Sequence, residues 1–262
     1  MKRVFRPRIV LALACLAAAA VIVTPFAGAE RSQVGNLIVS LNGGIHPLKL
    51  PRHEPAPVGV HLSGRVITAD KTPVPRVNWI RLELAWRGVL HTKGLPVCPQ
   101  KRIDGRLSGQ AMRACGPALV GRGGLDAEIF VPYQEPFKIK AHLLVFNGKT
   151  KQGRPKVLVH AFTADPPVSF VIPFTVRREG PYRTILITTI RKSVGPWPHV
   201  ANFHVFVSRK FNYDGHRVSY LSASCPIPKG FTAGFLSFAR ATYTFEGGKQ
   251  MRTESVRSCR AR

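Results

Sequence analysis

The sequence predicts an all-β protein, an antiparallel β-sandwich of roughly eleven strands with one short helix in a disulfide-tied excursion. The main observation is a period-two alternation of apolar and polar residues, which recurs along the chain and is typical of half-buried strands. Hairpin signals such as Asp214-Gly215 and Glu246-Gly247-Gly248 separate some of these stretches. The apolar share of 45% is normal for a chain that folds around a core.

The first 29 residues predict a secretory signal peptide. Basic residues come first, an uncharged apolar run covers 9–23, and Ala27-Gly28-Ala29 forms a small-residue cleavage site. The run is shorter than the ~20 residues that span a bilayer comfortably. We therefore expect cleavage after Ala29 and no transmembrane helix in the mature chain. Retention of the segment as an N-terminal anchor is the alternative.

Residues 30–56 are expected to form an extended, proline-rich lead-in with at most one strand. The segment contains Pro47, Pro51 and Pro55, and Pro57 follows it directly. The sandwich is expected over 57–262. Pro132 and Pro136 interrupt the strand pattern, so a further boundary near 133–136 is an alternative.

Three stretches show the alternation most clearly: 58–67, 77–87 and 168–176. In 77–87, for instance, Ile80, Leu82 and Leu84 share one face. Pro173 has no N–H to donate, so its strand is expected at a sheet edge or at a bulge. Gly121-Arg-Gly-Gly124 is interpreted as a turn. Further strands are predicted at about 138–146, 155–162, 183–191, 202–209, 217–223, 235–245 and 250–257.

Residues 88–125 are expected to leave the strand pattern as an excursion that carries the helix. Ser108 is a suitable N-cap for a helix over 109–115. Gly116-Pro117 should end that helix, with Gly116 in a left-handed conformation.

The predicted mature chain keeps four cysteines, and an even number in an exported protein indicates disulfides. Of the three possible pairings, proximity in sequence favours Cys98–Cys115 and Cys225–Cys259. No Cys-x-x-Cys pair is present, which disfavours zinc. We expect neither a metal nor a cofactor.

The sequence gives little support for catalysis. It has only 13 Asp and Glu residues, and it lacks the Gly-x-Ser-x-Gly, Walker and His-Glu-x-x-His motifs. The tight acid–His pairs, His53-Glu54 and Asp214 with His216, fall in a proline-rich stretch and at a hairpin tip. The balance favours a protein that is not an enzyme.

Positive charge is the most distinctive property of the chain, with 39 Lys and Arg against 13 acids and a formal net charge of +26. Such a charge attracts anionic cell-wall polymers and lipid headgroups at long range. No nucleic-acid-binding module is present, so no specific nucleic acid is expected. A composition shaped by a GC-rich genome is the alternative explanation. The candidate anion-binding residues are Lys138, Lys140, Arg183, Arg191, Arg209 and Arg217.

Several short stretches resemble uncharacterised secreted proteins of high-GC actinobacteria. They are Leu95-Pro-Val-Cys-Pro99, Gln110-Ala to Cys115, Ala118-Leu-Val-Gly121, Phe170-Val-Ile-Pro-Phe174, Tyr220-Leu-Ser-Ala-Ser-Cys-Pro226 and Phe238-Ala-Arg-Ala-Thr-Tyr243. The resemblance covers most of 58–260 and implies secretion and a β-rich fold. It implies no activity and no functional residues.

The function expected from the sequence is that of a secreted, non-enzymatic protein of the cell envelope, which binds anionic polymers or membrane surfaces. An extracellular hydrolase with a site assembled from loops is one alternative. A structural or adhesion module is another, and it would present an apolar patch or a free sheet edge instead of a basic groove.

Overall fold

Strands dominate the computed structural model, which describes residues 30–84, 87–179, 184–190 and 198–262. The predicted signal peptide lies outside the described residues. One α-helix, α1, covers Ser108–Cys115. The strands in chain order are β1 (Glu30–Val34), β2 (Leu37–His46), β3 (Lys49–Leu50), β4 (Ala56–Pro57), β5 (Gly59–Thr68), β6 (Val77–Leu84), β7 (Val89–Leu90), β8 (Leu119–Ile129), β9 (Phe137–Lys149), β10 (Pro155–Ala164), β11 (Pro167–Arg177), β12 (Thr184–Thr189), β13 (Pro198–Val207), β14 (Lys210–Tyr213), β15 (His216–Ser219), β16 (Leu221–Ala223), β17 (Ala233–Phe245) and β18 (Gln250–Ala261).

Thirteen of these strands form one sheet, in the order β1-β2-β5-β13-β8-β9-β10-β11-β12-β6-β17-β18-β3. The all-β prediction with one short helix is confirmed, but the sheet is a curled half-barrel and not an eleven-stranded sandwich. The alternation could not distinguish the two, because a curled sheet and a sandwich both bury one face of every strand.

The curl brings the first strands of the sheet against the last. Side chains join them: Ser32 Oγ donates to the Arg252 carbonyl at 2.6 Å, and Lys249 Nζ donates to the Val34 carbonyl at 2.7 Å. The Arg257 guanidinium on β18 also donates to β2, to the Gly43 carbonyl and the Asn42 side chain. At one end of the sheet β3, which follows β2 in the chain, pairs in parallel with β18.

Residues 30–56 were predicted to form an extended lead-in with at most one strand, but they contribute more than that to the sheet. They contain β1 and β2, and β2 pairs with β5 along its whole length. The difference arises because Pro47, Pro51 and Pro55 all follow β2. Leu37, Val39 and Leu41 therefore alternate without interruption and are buried. The 130–136 segment connects β8 to β9, and these strands pair with each other.

Gly121-Arg-Gly-Gly124, interpreted as a turn, lies inside β8, so that prediction is wrong. The glycines are needed where β13 crosses close to β8. A Cβ at Gly123 would lie 2.0 Å from the His204 carbonyl oxygen, and one at Gly121 would lie 2.6 Å from the Phe206 carbonyl oxygen. Their spacing resembles a turn signal, but their role is to let two curled strands approach.

Pro173 lies in β11, which is a central strand flanked by β10 and β12. The β11–β12 ladder joins only Thr175, Val176 and Arg177 to β12. Pro173 falls beyond the end of that ladder, so its missing N–H breaks no hydrogen bond on that side. The prediction of an edge strand or a bulge at Pro173 is nevertheless wrong, because β11 is a central strand and its ladder with β10 passes through Pro173 without a register shift.

The excursion predicted over 88–125 ends earlier, at residue 118, because β8 begins at Leu119. It crosses the outer face of the sheet and forms a second layer there. Cys98 and Cys115 are bonded, with a Cα–Cα distance of 5.4 Å, and pack with α1 against Leu144, Phe146 and Leu158 of β9 and β10. The expected helix is present, but its caps differ from the prediction. Leu107 precedes it and donates its N–H to Gln110 Oε1, and Gly116 keeps right-handed helical dihedrals.

His160 lies between the sheet and this second layer and should make stability depend on pH. The imidazole is fully buried, and its Nε2 donates to the Arg106 carbonyl at 2.7 Å. No group within the described ranges forms a hydrogen bond with its Nδ1. Burial lowers the pKa of His160 below its usual 6.5, so the folded protein holds fewer protons there than the unfolded chain. Burial, assisted by the charge of Arg178, lowers the pKa of His91 as well.

The pKa of His160 is lower in the folded protein than in the unfolded chain. The free energy of unfolding is therefore largest above the unfolded pKa and decreases as the pH falls below that value. We therefore expect unfolding midpoints in urea to decrease from about pH 7 to about pH 5. His160→Gln keeps an N–H donor but does not titrate, so it should flatten this slope, with the remainder due to His91. Equal slopes for the two proteins, or stability that rises on acidification, would contradict the prediction.

The end of the sheet where β3 meets β18 is closed by smaller elements. A three-stranded sheet, β4-β16-β7, lies there, and β14–β15 forms a hairpin. The predicted turn is confirmed, because Asp214 and Gly215 both have positive φ. The predicted Cys225–Cys259 bond is also present, with a Cα–Cα distance of 5.8 Å.

Candidate functional site: two adjoining chambers

The inner face of the curled sheet lines a cavity of about 200 Å³, here called the inner chamber. Most strands of the large sheet contribute to its wall. The described residues that line it contribute no polar atom to its surface. Representative lining residues are Leu62 of β5, Leu82 of β6, Val145 of β9, Ile172 of β11, Val205 of β13 and Ala241 of β17.

The alternation of the strands explains this lining. In β6, Ile80, Leu82 and Leu84 point inward, while Arg81 and Glu83 point outward and form an ion pair at 3.0 Å. The same pattern recurs in β10 and β11. Because successive side chains of a strand point to opposite faces, curling the sheet gathers one apolar set around a common axis.

Much of the wall is not covered by packing. Phe170, Phe174, Phe203, Leu186 and Val159 line the inner chamber and are only half-buried. A well-packed interior leaves few voids larger than a water molecule, and an apolar cavity of about 150 Å³ stays dry and binds benzene. The inner chamber is therefore suited to an apolar guest.

Two tyrosines in the wall stay uncharged. Burial raises the pKa of Tyr243 to about 12, although a hydrogen bond with Thr253 opposes the shift. Burial also raises the pKa of Tyr220, whose hydroxyl meets no hydrogen-bond partner in the described part of the chain. Both rings contribute carbon surface to the inner chamber, and neither brings charge into it at neutral pH.

A second cavity of about 430 Å³, the outer chamber, adjoins the first. Four side chains line both chambers: Val60, Leu84, Leu90 and Leu221. The outer chamber lies at the end of the sheet that carries β4, β16 and β7. Its lining reaches the surface at Phe235, which is 68% exposed.

The outer chamber differs from the inner one because polar groups line it. Arg87, Thr184, Ser222, Ser224 and Ser237 contribute to its wall, together with apolar residues. Ser224 is 1% exposed, and its hydroxyl has no hydrogen-bond partner among the described residues. A buried hydroxyl without a partner is costly, so a ligand group that bonds to it would gain affinity.

The predicted anion-binding residues do not form one cluster among the described residues. Lys138 and Lys140 are exposed on β9, opposite Glu128 and Asp126 of β8. Across paired strands such residues are close enough to offset each other's charge.

Arg209 and Arg217 lie beyond the other end of β13, at the β14–β15 hairpin. Arg183 and Arg191 lie outside the described residues. The structure therefore brings together the members of each described pair but keeps the two pairs apart.

Neither acid–His pair meets a catalytic partner in the described part of the chain. His53 and Glu54 are exposed between β3 and β4, and Asp214 and His216 flank the hairpin tip. No group of three or more His, Cys, Asp and Glu side chains in this part could hold a metal ion. Glu83 is held by Arg81 and Arg240 on the outer face.

Sequence reasoning missed the two chambers. The alternation identified the inward side chains of β5, β6 and β11 correctly, yet it gave no distance between opposite walls.

Within the described ranges, no helix has the length and apolar character needed to cross a bilayer. The two disulfides are compatible with an extracellular location. No protein-family model, curated protein or solved structure matches this chain. The two chambers must therefore be interpreted from their own geometry.

Proposed function

We propose that the protein is a non-enzymatic binder of an amphiphilic molecule in the cell envelope. The apolar part of the ligand occupies the inner chamber, and its polar end lies in the outer chamber. The observation that carries the proposal is the inner chamber itself, an apolar cavity of about 200 Å³ along the axis of the curled sheet.

The arrangement of the two chambers supports an amphiphile over a purely apolar molecule. A ligand that crosses the shared wall of Val60, Leu84, Leu90 and Leu221 would pass from apolar to polar surroundings. Arg87 supplies a cationic side chain to the outer chamber. An anionic or strongly hydrogen-bonding head is therefore favoured there, since charge-assisted hydrogen bonds are the stronger ones.

The test is a titration of the purified protein with alkanoates of increasing length, from hexanoate to decanoate, by calorimetry. Each methylene that enters the inner chamber should strengthen binding about fourfold until the chamber is full, because burying a methylene contributes about 0.8 kcal/mol. Decanoate should bind more tightly than decanol, owing to Arg87.

The saturating ratio should be close to one ligand per chain. Affinity that does not change with chain length, or a ratio far above one, would contradict the proposed function. Equal affinity for decanoate and decanol would contradict only the role given to Arg87.

A further inference from the structure

Two exposed phenylalanines mark the surface beside the opening of the outer chamber. Phe231 is 63% exposed and Phe235 is 68% exposed. Phenylalanine is among the residues most often buried, and its ring carries a large apolar surface. The two rings, four residues apart in the chain, are apolar surface that the described residues leave exposed.

The segment that carries Phe231 is held firmly in place. Arg52 Nη1 donates to the carbonyls of Ile227 and Pro228, and its Nη2 donates to the Phe231 carbonyl, each at 2.8 Å. The Cys225–Cys259 bond fixes the start of the segment, and Ala261 N–H donates to the Thr232 carbonyl at 2.9 Å. Phe231 is therefore held in its exposed position by these bonds.

Four exposed cations lie on the same segment as Phe231 or on the strands next to Phe235, and we call the six residues together the rim surface. Lys229 lies two residues before Phe231. Arg260 on β18 lies between two strands. It pairs with Lys49 of β3 on one side and with Ala233 of β17 on the other. Ala233 is two residues before Phe235. The six residues are Phe231, Phe235, Lys49, Lys229, Arg260 and Arg262. Glu54 is an exposed carboxylate in the neighbouring 51–55 loop.

The rim surface is continuous with the outer chamber. Phe235 lines that chamber, as does Pro226 at the start of the segment. A molecule that leaves the chamber past Phe235 would therefore emerge at the rim surface.

We propose that the rim surface docks on an anionic lipid bilayer, with Phe231 and Phe235 in the boundary between headgroups and acyl chains. Interfacial binding has two requirements. Apolar side chains must enter this boundary, and cations must face the anionic headgroups. An anionic wall polymer would use the cations but would give the rings no apolar partner. The proposal rests on the proposed function, because a bilayer is the source or the destination of an amphiphilic ligand.

The experiment is co-sedimentation of the purified protein with vesicles of phosphatidylcholine and phosphatidylglycerol, compared with vesicles of phosphatidylcholine alone. The protein should bind the anionic vesicles and be released as salt is added. Phe231→Ser with Phe235→Ser should weaken this binding at least about tenfold, because two partly buried rings are lost. Lys229→Ser with Arg260→Ser should weaken it about 25-fold, since each cation near an anionic surface contributes about fivefold.

The matched control is Tyr133→Ser with Val168→Ser. These residues are also exposed, at 106% and 49%, but they lie at the opposite end of the sheet. The control should bind vesicles like the unmodified protein.

A phenylalanine variant that binds anionic vesicles as tightly as the unmodified protein would overturn the proposal. If that variant also keeps full retention on immobilised dextran sulfate, a polyanion is the partner instead. Decanoate titration without vesicles separates the two proposals and uses Phe231→Ser alone, because Phe235 lines the outer chamber and Phe231 is not among the lining residues of either chamber. Phe231→Ser should bind decanoate normally if the chambers work as proposed, whether or not the rim surface docks.

Discussion

Replacing Ala241 by Phe is expected to abolish decanoate binding while leaving the fold intact. Ala241 lies on β17, is 1% exposed and lines the inner chamber. A benzene ring fits an apolar cavity of about 150 Å³, so the phenyl ring of the new side chain should occupy most of the chamber. The ring also covers apolar wall that is now uncovered, so thermal stability should be unchanged or higher.

Leu143→Ala provides the opposite change as a control. Leu143 is 6% exposed in the same wall, and its truncation enlarges the chamber. This variant should unfold about 2–5 kcal/mol more easily but should still bind alkanoates. The measurements are calorimetric titration and thermal unfolding of each variant. A folded Ala241→Phe protein that binds decanoate with unchanged affinity would show that the ligand does not enter the inner chamber.

Removing the Cys225–Cys259 bond is expected to have the largest effect on stability. The bond closes a loop with a sequence separation of 34, against 17 for Cys98–Cys115. The chain-entropy model gives about 4 kcal/mol for the longer loop and about 3 kcal/mol for the shorter one. Unfolding in urea of the two paired Cys→Ala variants measures both losses.

The two disulfides should also differ in what else they affect. Cys225–Cys259 fixes the segment that presents Phe231, so its loss should weaken binding to anionic vesicles under conditions where the protein is still folded. Cys98–Cys115 holds α1 on the outer face of the sheet, and its loss should leave vesicle binding unchanged. The opposite ranking, in stability or in vesicle binding, would contradict this assignment of roles.

Features set by neighbouring residues were predictable from the sequence. Asp214-Gly215 forms its hairpin turn because both positions need positive φ, a requirement that acts over two residues. The disulfide pairing followed from proximity in the chain. The inward faces of β6 and β11 followed from a period of two, which any half-buried strand obeys.

Features that depend on how the sheet bends were not predictable. Gly121 and Gly123 allow β8 and β13 to approach, but in the sequence they have the spacing of a turn. β2 joins the sheet although prolines follow it closely. The curl converts an apolar face that would interlock with a second sheet into the wall of a chamber.

The rim surface was hidden for a related reason. The chain contains 15 Phe residues, and nothing in the sequence separates Phe231 and Phe235 from those that form the core. The structure shows it through the hydrogen bonds from the Arg52 guanidinium to backbone carbonyls and through the Cys225–Cys259 bond, which fix the segment that carries Phe231. Likewise, the chain has 39 Lys and Arg residues, and nothing in the sequence distinguishes the four of the rim surface from the others.

The inner chamber also determines how the protein responds to compression. A void of about 200 Å³ corresponds to about 120 mL/mol, and the volume change on unfolding scales with the void volume that unfolding eliminates. Hydrostatic pressure therefore favours states in which a guest fills this volume or unfolding removes it. A bound acyl chain would remove this compressible volume, so the ligand-filled protein should resist pressures that unfold the empty one.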